Sequence, residues 1–288
     1  MELEKPPERI VSLVPSLTES FFDLGLGHLV VGITDYCIYP EERVGLLPKV
    51  GGPKNVRVET VLNLNPDLVV ANQEENTREV VEALRLAGVR VWLTFPKTVR
   101  ETLQDLWNIV RMCRADAAGE MLLNLERSLE WAELAAGDMA ARRYFCPIWQ
   151  GEADGGRRWW MTFNSQTYPA DLLSLFGYHN IFAGRMRRYP LEADLGLAEG
   201  EAAGEKDVRY PCVTLEEALA LSPEVILLPS EPYCYSAADL KTFYSIFGTT
   251  PAAAHRRIKL VDGTLLMWSG TRLGKALALL PELLLCEG

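Results

Sequence analysis

The 288-residue chain can hold two domains or one large one, and its hydrophobic and charged fractions, 48% and 24%, are ordinary for a soluble globular protein. A net charge of −10 and a pI near 5.0 argue against nucleic acid, which needs a basic face, while leaving room for a basic protein partner. No apolar run approaches the roughly 20 residues of a membrane span, and the opening MELEKPPERI has no apolar signal core, so two settings are expected: the cytoplasm, or a mature domain whose export signal has been removed.

Residues 9–14 (RIVSLV) predict a short strand that Pro15 stops. SLTE, Ser16 to Glu19, has the pattern of a capping box and predicts a helix through Phe21, Phe22 and Leu24, closed at Gly25. A helix starting directly after a strand aims backbone N–H groups at the carboxyl edge of a parallel sheet. That makes Ser16 a candidate ligand contact; the plainer alternative is a well-capped βα turn. Residues 28–34 predict the next strand and lead to Asp35 and Tyr36, and the loop 37–52, with two prolines, is long enough to line a pocket.

Residues 58–71, VETVLNLNPDLVVA, read as a short helix, a break at Pro66 and Asp67, and an apolar strand that delivers Gln73 to the sheet edge. A helix over 77–87 closed by Gly88, a strand over 89–95 and a helix from about Thr98 to Cys113 follow. From Asp116 to about Arg143 the apolar positions Ala118, Met121, Leu122, Leu125, Leu129, Ala132, Ala136 and Met139 fall on one helical stripe. Such a helix spans roughly 40 Å, the length of a rod joining two lobes.

Residues 144–149 open the second half as a strand. A glycine-rich loop over 151–169 holds Trp159, Trp160 and Phe163, a helix is expected over 170–176, and the polar stretch 185–210 reads as a long mobile connection. Then LEEALALSPEVILL, 215–228, repeats residues 58–71 at one constant offset: Glu59 maps to Glu216, Pro66 to Pro223 and Asp67 to Glu224. A second echo, DLGLGHLVVG at 23–32 with SLFGYHNIFAG at 174–184, comes in the same order, so the halves are related. A loop over 229–235, a helix near 250–255, a strand over 258–261, a loop over 266–270 and a closing helix from Arg272 to about Leu285 complete an α/β pattern with mostly parallel sheets.

Enzyme signatures are missing: there is no GxSxG and no HExxH. GTRLGK at 270–275 is one residue short of a phosphate loop and has Ala276 where Ser or Thr is needed. Gly25 and Gly27 lack the third glycine of a dinucleotide site. His28 and His179 fall in nearly equivalent turns and read as structural, and the six scattered cysteines read as free, mostly buried thiols, so no metal site is expected. What remains is aromatic: Tyr36, Trp149, Trp159, Trp160, Phe163, Tyr233, Tyr235 and Trp268 at predicted edge loops. Core packing accounts for any one of them; as a set they suit a large, flat, partly apolar ligand, with Trp149, Trp159, Trp160 and Trp268 the strongest candidates.

The set RIVSLVPSLTE, LGLGHLVVGIT, YP, VGG and VETVLNLNPDLVVAN, with GVRVW later, resembles the class III substrate-binding proteins of ABC importers. These are the helical-backbone proteins for cobalamin, haem and iron-siderophore complexes. The resemblance covers nearly the whole chain and is densest over 9–95. It implies two α/β lobes, 1–114 and 144–288, joined by a long backbone helix, 115–143, with the ligand in a cleft between lobes. It also implies a monomeric, non-enzymatic binding protein at the periplasm or cell surface, with an ABC permease dimer as partner. The likeness is strongest to the cobalamin-binding members, in which a glutamate on each lobe docks against permease arginines; Glu59 and Glu216 occupy the matching positions. A glutamate well placed in a first helical turn explains either residue alone. On this resemblance a corrinoid is the ligand, met by Ser16, Tyr36, Gln73, Trp149, Trp159, Trp160, Phe163 and Trp268, with no catalytic cofactor and no metal ligand set. Haem or a ferric siderophore is the alternative, although only Arg157 and Arg158 supply the basic residues that siderophore binders show. From another class, a cytoplasmic enzyme or ligand-dependent regulator on the same scaffold fits the missing signal and free cysteines. The lack of an acid–base or nucleophile constellation counts against the enzyme.

Overall fold

The computed structural model describes residues 5–136, 141–153 and 155–285. It divides into two compact units: Met1–Ser128 with Trp268–Lys275, and Leu129–Met267 with Ala276–Gly288. No helix among the described residues is long and apolar enough to cross a membrane.

The first unit opens with β1 (Ile10–Ser12), α1 (Pro15–Asp23), β2 (Val30–Ile33), α2 (Glu41–Val44) and a small hairpin, β3 (Gly51–Gly52) with β4 (Asn55–Val56). It continues through α3 (Val58–Asn63), β5 (Leu68–Asn72), α4 (Arg78–Leu86), β6 (Val91–Thr94), α5 (Val99–Cys113) and α6 (Gly119–Ala136), which crosses the unit boundary. Its sheet has the order β2-β1-β5-β6, all parallel. The two central strands are buried along their whole length, which is why they read as mainly apolar runs, each closed by a buried polar residue, Ser12 or Asn72. α1 begins two residues earlier than a capping box at SLTE predicts, with Val14 as its N-cap, Pro15 at its first position and no side-chain cap. Glu19 is therefore no capping-box partner; it is buried and paired elsewhere. The expected helix to Arg143 is also shorter: α6 ends at Ala136 and Arg142 already belongs to a strand. Met139 of the expected stripe lies outside the described residues.

The second unit holds β7 (Arg142–Phe145), β8 (Trp149–Ala153), β9 (Arg157–Met161), α7 (Tyr168–Ser174), β10 (Tyr178–Asn180), α8 (Leu191–Asp194), β11 (Cys212–Thr214), α9 (Leu215–Ala220) and β12 (Val225–Pro229). After these come α10 (Ala237–Ile246), α11 (Pro251–Ala254), β13 (Ile258–Val261), α12 (Gly263–Met267) and α13 (Leu273–Leu285), whose first turn belongs to the first unit. The parallel sheet has the order β10-β7-β12-β13, the same topology as the first. An antiparallel sheet, β11-β9-β8, is added to it. The glycine-rich stretch expected as a loop is thus largely the β8–β9 hairpin, with Gly155 and Gly156 at positive φ in its turn. Residues 185–210 are not a loose connection either. The wholly buried carboxylate of Asp194 ties them down, accepting from Arg185 Nη1 at 2.9 Å, Arg188 N at 3.0 Å and Cys212 N at 2.6 Å. A buried charge persists only when paired in this way.

The repeated phrase is a structural repeat. α3 and α9 are each six residues, and β5 and β12 are each five, at the constant sequence offset. Asn65 and Ser222, at matching places, both take positive φ, 45° and 48°. In the first copy Arg9 donates to the Leu64 and Asn65 carbonyls while Asp67 accepts from the Glu8 and Arg9 N–H groups. In the second, Arg143 donates to the Leu221 and Ser222 carbonyls while Glu224 accepts from Arg143 N. Each arginine thus caps the C-terminal carbonyls of a short helix, and each carboxylate fixes the start of the neighbouring strand.

Candidate functional site

Loops that follow the strands of a parallel sheet gather at its carboxyl edge, where α/β proteins hold ligands. In the first unit that edge receives Ser16 after β1, residues 34–39 after β2 and Gln73 after β5. Tyr36 is 65% exposed and Gln73 is exposed, whereas Ser16 is buried in the first turn of α1, its carbonyl accepting from Ser20 Oγ at 2.8 Å. Trp268 joins the unit through the returning segment Trp268–Lys275 and meets the Tyr39 ring edge-on, centroids 5.8 Å apart. The Arg272 guanidinium lies 4.3 Å from the Tyr39 ring centre and 5.0 Å from that of Trp268. Such cation–π contacts gain strength when desolvated.

Arg272 is held from behind. Its Nε and Nη2 donate to Glu19 Oε2 and Oε1 at 2.6 and 2.8 Å, and Lys275 Nζ adds a third contact at 2.9 Å. The Glu19 and Arg272 side chains are only 3% and 5% exposed. The segment is strapped to α1 twice more, by Thr271 N donating to Ser20 Oγ at 3.0 Å and Thr271 Oγ1 donating to Asp23 Oδ2 at 2.6 Å. Gly270, at φ +109°, permits this approach, because a Cβ there would stand 2.4 Å from Ser20 Oγ. Beside Tyr39, a pocket of about 380 Å³ is lined by Asp35, Cys37, Ile38, Glu41 and Lys49 among others. Burial pushes the Cys37 thiol up, against the Thr18 and Thr34 hydroxyls 3.1 Å away, which makes it a packing group and no nucleophile.

In the second unit the corresponding edge carries Trp149 beyond β7 and residues 230–235 beyond β12. Trp149 is 46% exposed and meets the Tyr233 ring edge-on at 5.7 Å; Gln150 Nε2 donates to Tyr233 Oη at 2.8 Å. Beneath them the rings of Tyr235, Phe243, Trp160, Phe145 and Phe247 pack in sequence. Trp160 and Phe163, both expected at the ligand, are core residues with no exposed surface. Neighbouring residues of a strand face opposite sides, so Trp160 points into the core while Trp159 lies over Gly151, where a Cβ would approach its ring to 2.6 Å. The histidines are not equivalent: His28 sits in a short 3-10 turn with Nδ1 3.2 Å from Gly25 O, and His179 lies within β10.

Glu59 and Glu216 are exposed in the first turns of α3 and α9. The Glu216 carboxyl is held below the usual glutamate range, chiefly by its own backbone N–H, then by the Thr214 hydroxyl, with Arg157 adding attraction. The sequence pattern singles out Trp268 and both glutamates as candidates; Tyr39, Glu19 and Arg272, which the fold brings to Trp268, are not among its candidates. The signal was a carboxylate inside the apolar run SLTESFF and a basic pair in GTRLGK, each of which has a plain local explanation.

A family model for periplasmic binding proteins matches residues 10–260. The chain belongs to that family. The vitamin B12-binding protein of Vibrio cholerae serotype O1 is 25% identical over 222 residues, 77% of this chain and 70% of the relative. Among solved structures, the periplasmic vitamin B12 binding protein BtuF of Vibrio cholerae superposes with a TM-score of 0.74 at 22% identity, covering 97% of each chain. The periplasmic haem-binding protein RhuT from Roseiflexus sp. RS-1 gives 0.71 at 23% identity over 95% of this chain and 96% of that one. The likeness to these structures is one of fold: paired α/β units with helix-flanked parallel sheets, as the alternating strands and helices of the sequence imply. These relatives of the periplasmic binding protein are binding proteins, and none of the three carries an enzymatic name.

Proposed function

We propose that this periplasmic binding protein captures a corrinoid of the cobalamin type and delivers it to an ABC permease at the periplasmic or cell-surface side of a membrane. The observation that carries the reading is the pair of partly exposed aromatic edges: Tyr39 with Trp268 on one sheet, Trp149 with Tyr233 on the other. A corrin macrocycle offers broad apolar faces and an amide-fringed rim. Rings supply contact area for the first, and Gln73 and Tyr36 supply hydrogen bonds for the second. Glu59 and Glu216, exposed at matching places of a structural repeat, suit a two-fold-symmetric permease with basic docking sites.

Calorimetric titration with cyanocobalamin, haemin and a ferric siderophore tests the ligand. One-to-one binding of cyanocobalamin is expected, weakened about tenfold by Trp149→Ala or Trp268→Ala; heat in the other two cells alone sinks the corrinoid. Reversing both glutamates (Glu59→Lys with Glu216→Lys) should leave ligand affinity intact and stop uptake into permease-bearing vesicles. Unchanged uptake removes the docking role.

One observation favours haem as the second reading. The Tyr36 phenol is 65% exposed at the end of β2, and a phenolate can ligate haem iron. A Soret shift with haemin that Tyr36→Phe abolishes supports it.

A further inference from the structure

We propose that Glu19 and Arg272 form a positioning pair for the ligand site: Glu19 fixes the Arg272 guanidinium, and the guanidinium fixes the Tyr39 and Trp268 rings. The inference rests on the reading of those rings as ligand contacts and adds a residue pair that touches no ligand itself. Two features separate it from an ordinary ion pair. First, the pair is almost fully buried, and burying two charges costs so much desolvation that an apolar pair of the same volume is often as stable or more so. Stability alone therefore does not explain its presence. Second, the geometry is directional. Glu19 takes the fork through Nε and Nη2, which orients the guanidinium plane, and the same group lies within cation–π distance of both rings. Lys275 Nζ donates to the same Glu19 Oε1 that accepts from Arg272 Nη2, and the Thr271 and Gly270 contacts to α1 hold the backbone that carries Trp268. Arg272 thus joins two rings from segments far apart in sequence, the loop after β2 and the segment before α13.

The test uses Glu19→Gln, Arg272→Lys, Arg272→Met and the double variant Glu19→Gln with Arg272→Met. Glu19→Gln takes the carboxylate from the buried guanidinium and Arg272→Met leaves that carboxylate with Lys275 alone, so either threatens folding; the double variant removes both charges and keeps apolar volume against the rings, so it is expected to fold better than either of these singles. Trp268 fluorescence, obtained by difference from Trp268→Phe in each background, reports the ring through acrylamide quenching. Quenching should rise at least about twofold in the double variant and less in Arg272→Lys, which keeps the charge but not the fork. Cyanocobalamin affinity should fall about tenfold in the double variant. A folded double variant with parental quenching overturns the proposal whatever the ligand. Loss of affinity with unchanged quenching overturns it too, since the rings have then not moved. If the parental protein binds none of the three ligands, the corrinoid reading falls and quenching alone decides the positioning role.

Discussion

In the first unit the partly exposed ring pair Tyr39–Trp268 is held by a buried guanidinium and a carboxylate, whereas in the second the pair Trp149–Tyr233 rests on a stack of buried rings. The sheets beneath have the same strand order and the same short helix, clamp and strand. The backbone repeat therefore does not dictate how an edge is furnished. An ion pair gives direction but fails when either partner is lost; aromatic packing distributes the same task over many weak contacts.

Breaking the second arrangement should have the largest effect. Trp160 sits at the centre of that ring stack with no exposed surface. Trp160→Ala should cost about 3–5 kcal/mol in urea unfolding, and Trp149 should lose its fixed environment in near-ultraviolet circular dichroism. A loss below about 1 kcal/mol would mean that the stack is not the support described.

The clamps come next. Asp67 accepts from two backbone N–H groups at 2.8 and 2.9 Å, and Glu224 from one at 2.8 Å. Asp67→Ala should therefore cost about 2 kcal/mol and Glu224→Ala about 1 kcal/mol. Equal losses, or the reverse order, would show that the clamps do not act through these hydrogen bonds.

The duplication was legible because its residues do local work that composition records: a helix of one turn and a half, a proline after a positive-φ residue, and an apolar strand. The aromatic character of both edges was legible as well. Which rings stay exposed was not, since Trp159 and Trp160 differ only by strand parity and the hairpin carrying them read as a glycine-rich loop. The stretch 185–210 was misread for a related reason. Its order comes from Asp194, whose partners include Arg185, the first residue of the stretch, and Cys212, just beyond its end, a spacing that leaves no periodic trace. The Glu19–Arg272 pair joins residues 253 apart in sequence, and only the folded chain brings them together.

The smallest expected effect distinguishes the two exposed glutamates. α9 begins with a capping box, Thr214 Oγ1 accepting from Glu217 N and the Glu217 carboxylate accepting from Thr214 N, whereas the matching residue of α3, Arg57, provides no side-chain cap. Thr214→Ala should cost about 1 kcal/mol, Thr214→Ser a few tenths at most, and Arg57→Ala roughly nothing beyond its bond to the Lys49 carbonyl. The same threonine holds the Glu216 carboxyl down, after that residue's own N–H. A carboxylate whose pKa is depressed by folding adds stability above its unfolded value and loses it as pH falls through the folded one. Thr214→Ala should therefore raise the Glu216 titration midpoint, still short of an unfolded glutamate, and trim the acid-side loss of stability. Carboxyl-carbon NMR against pH reads this directly. An unmoved Glu216 midpoint would show that the cap and the exposed charge are independent, and that the difference between the two copies ends at helix stability.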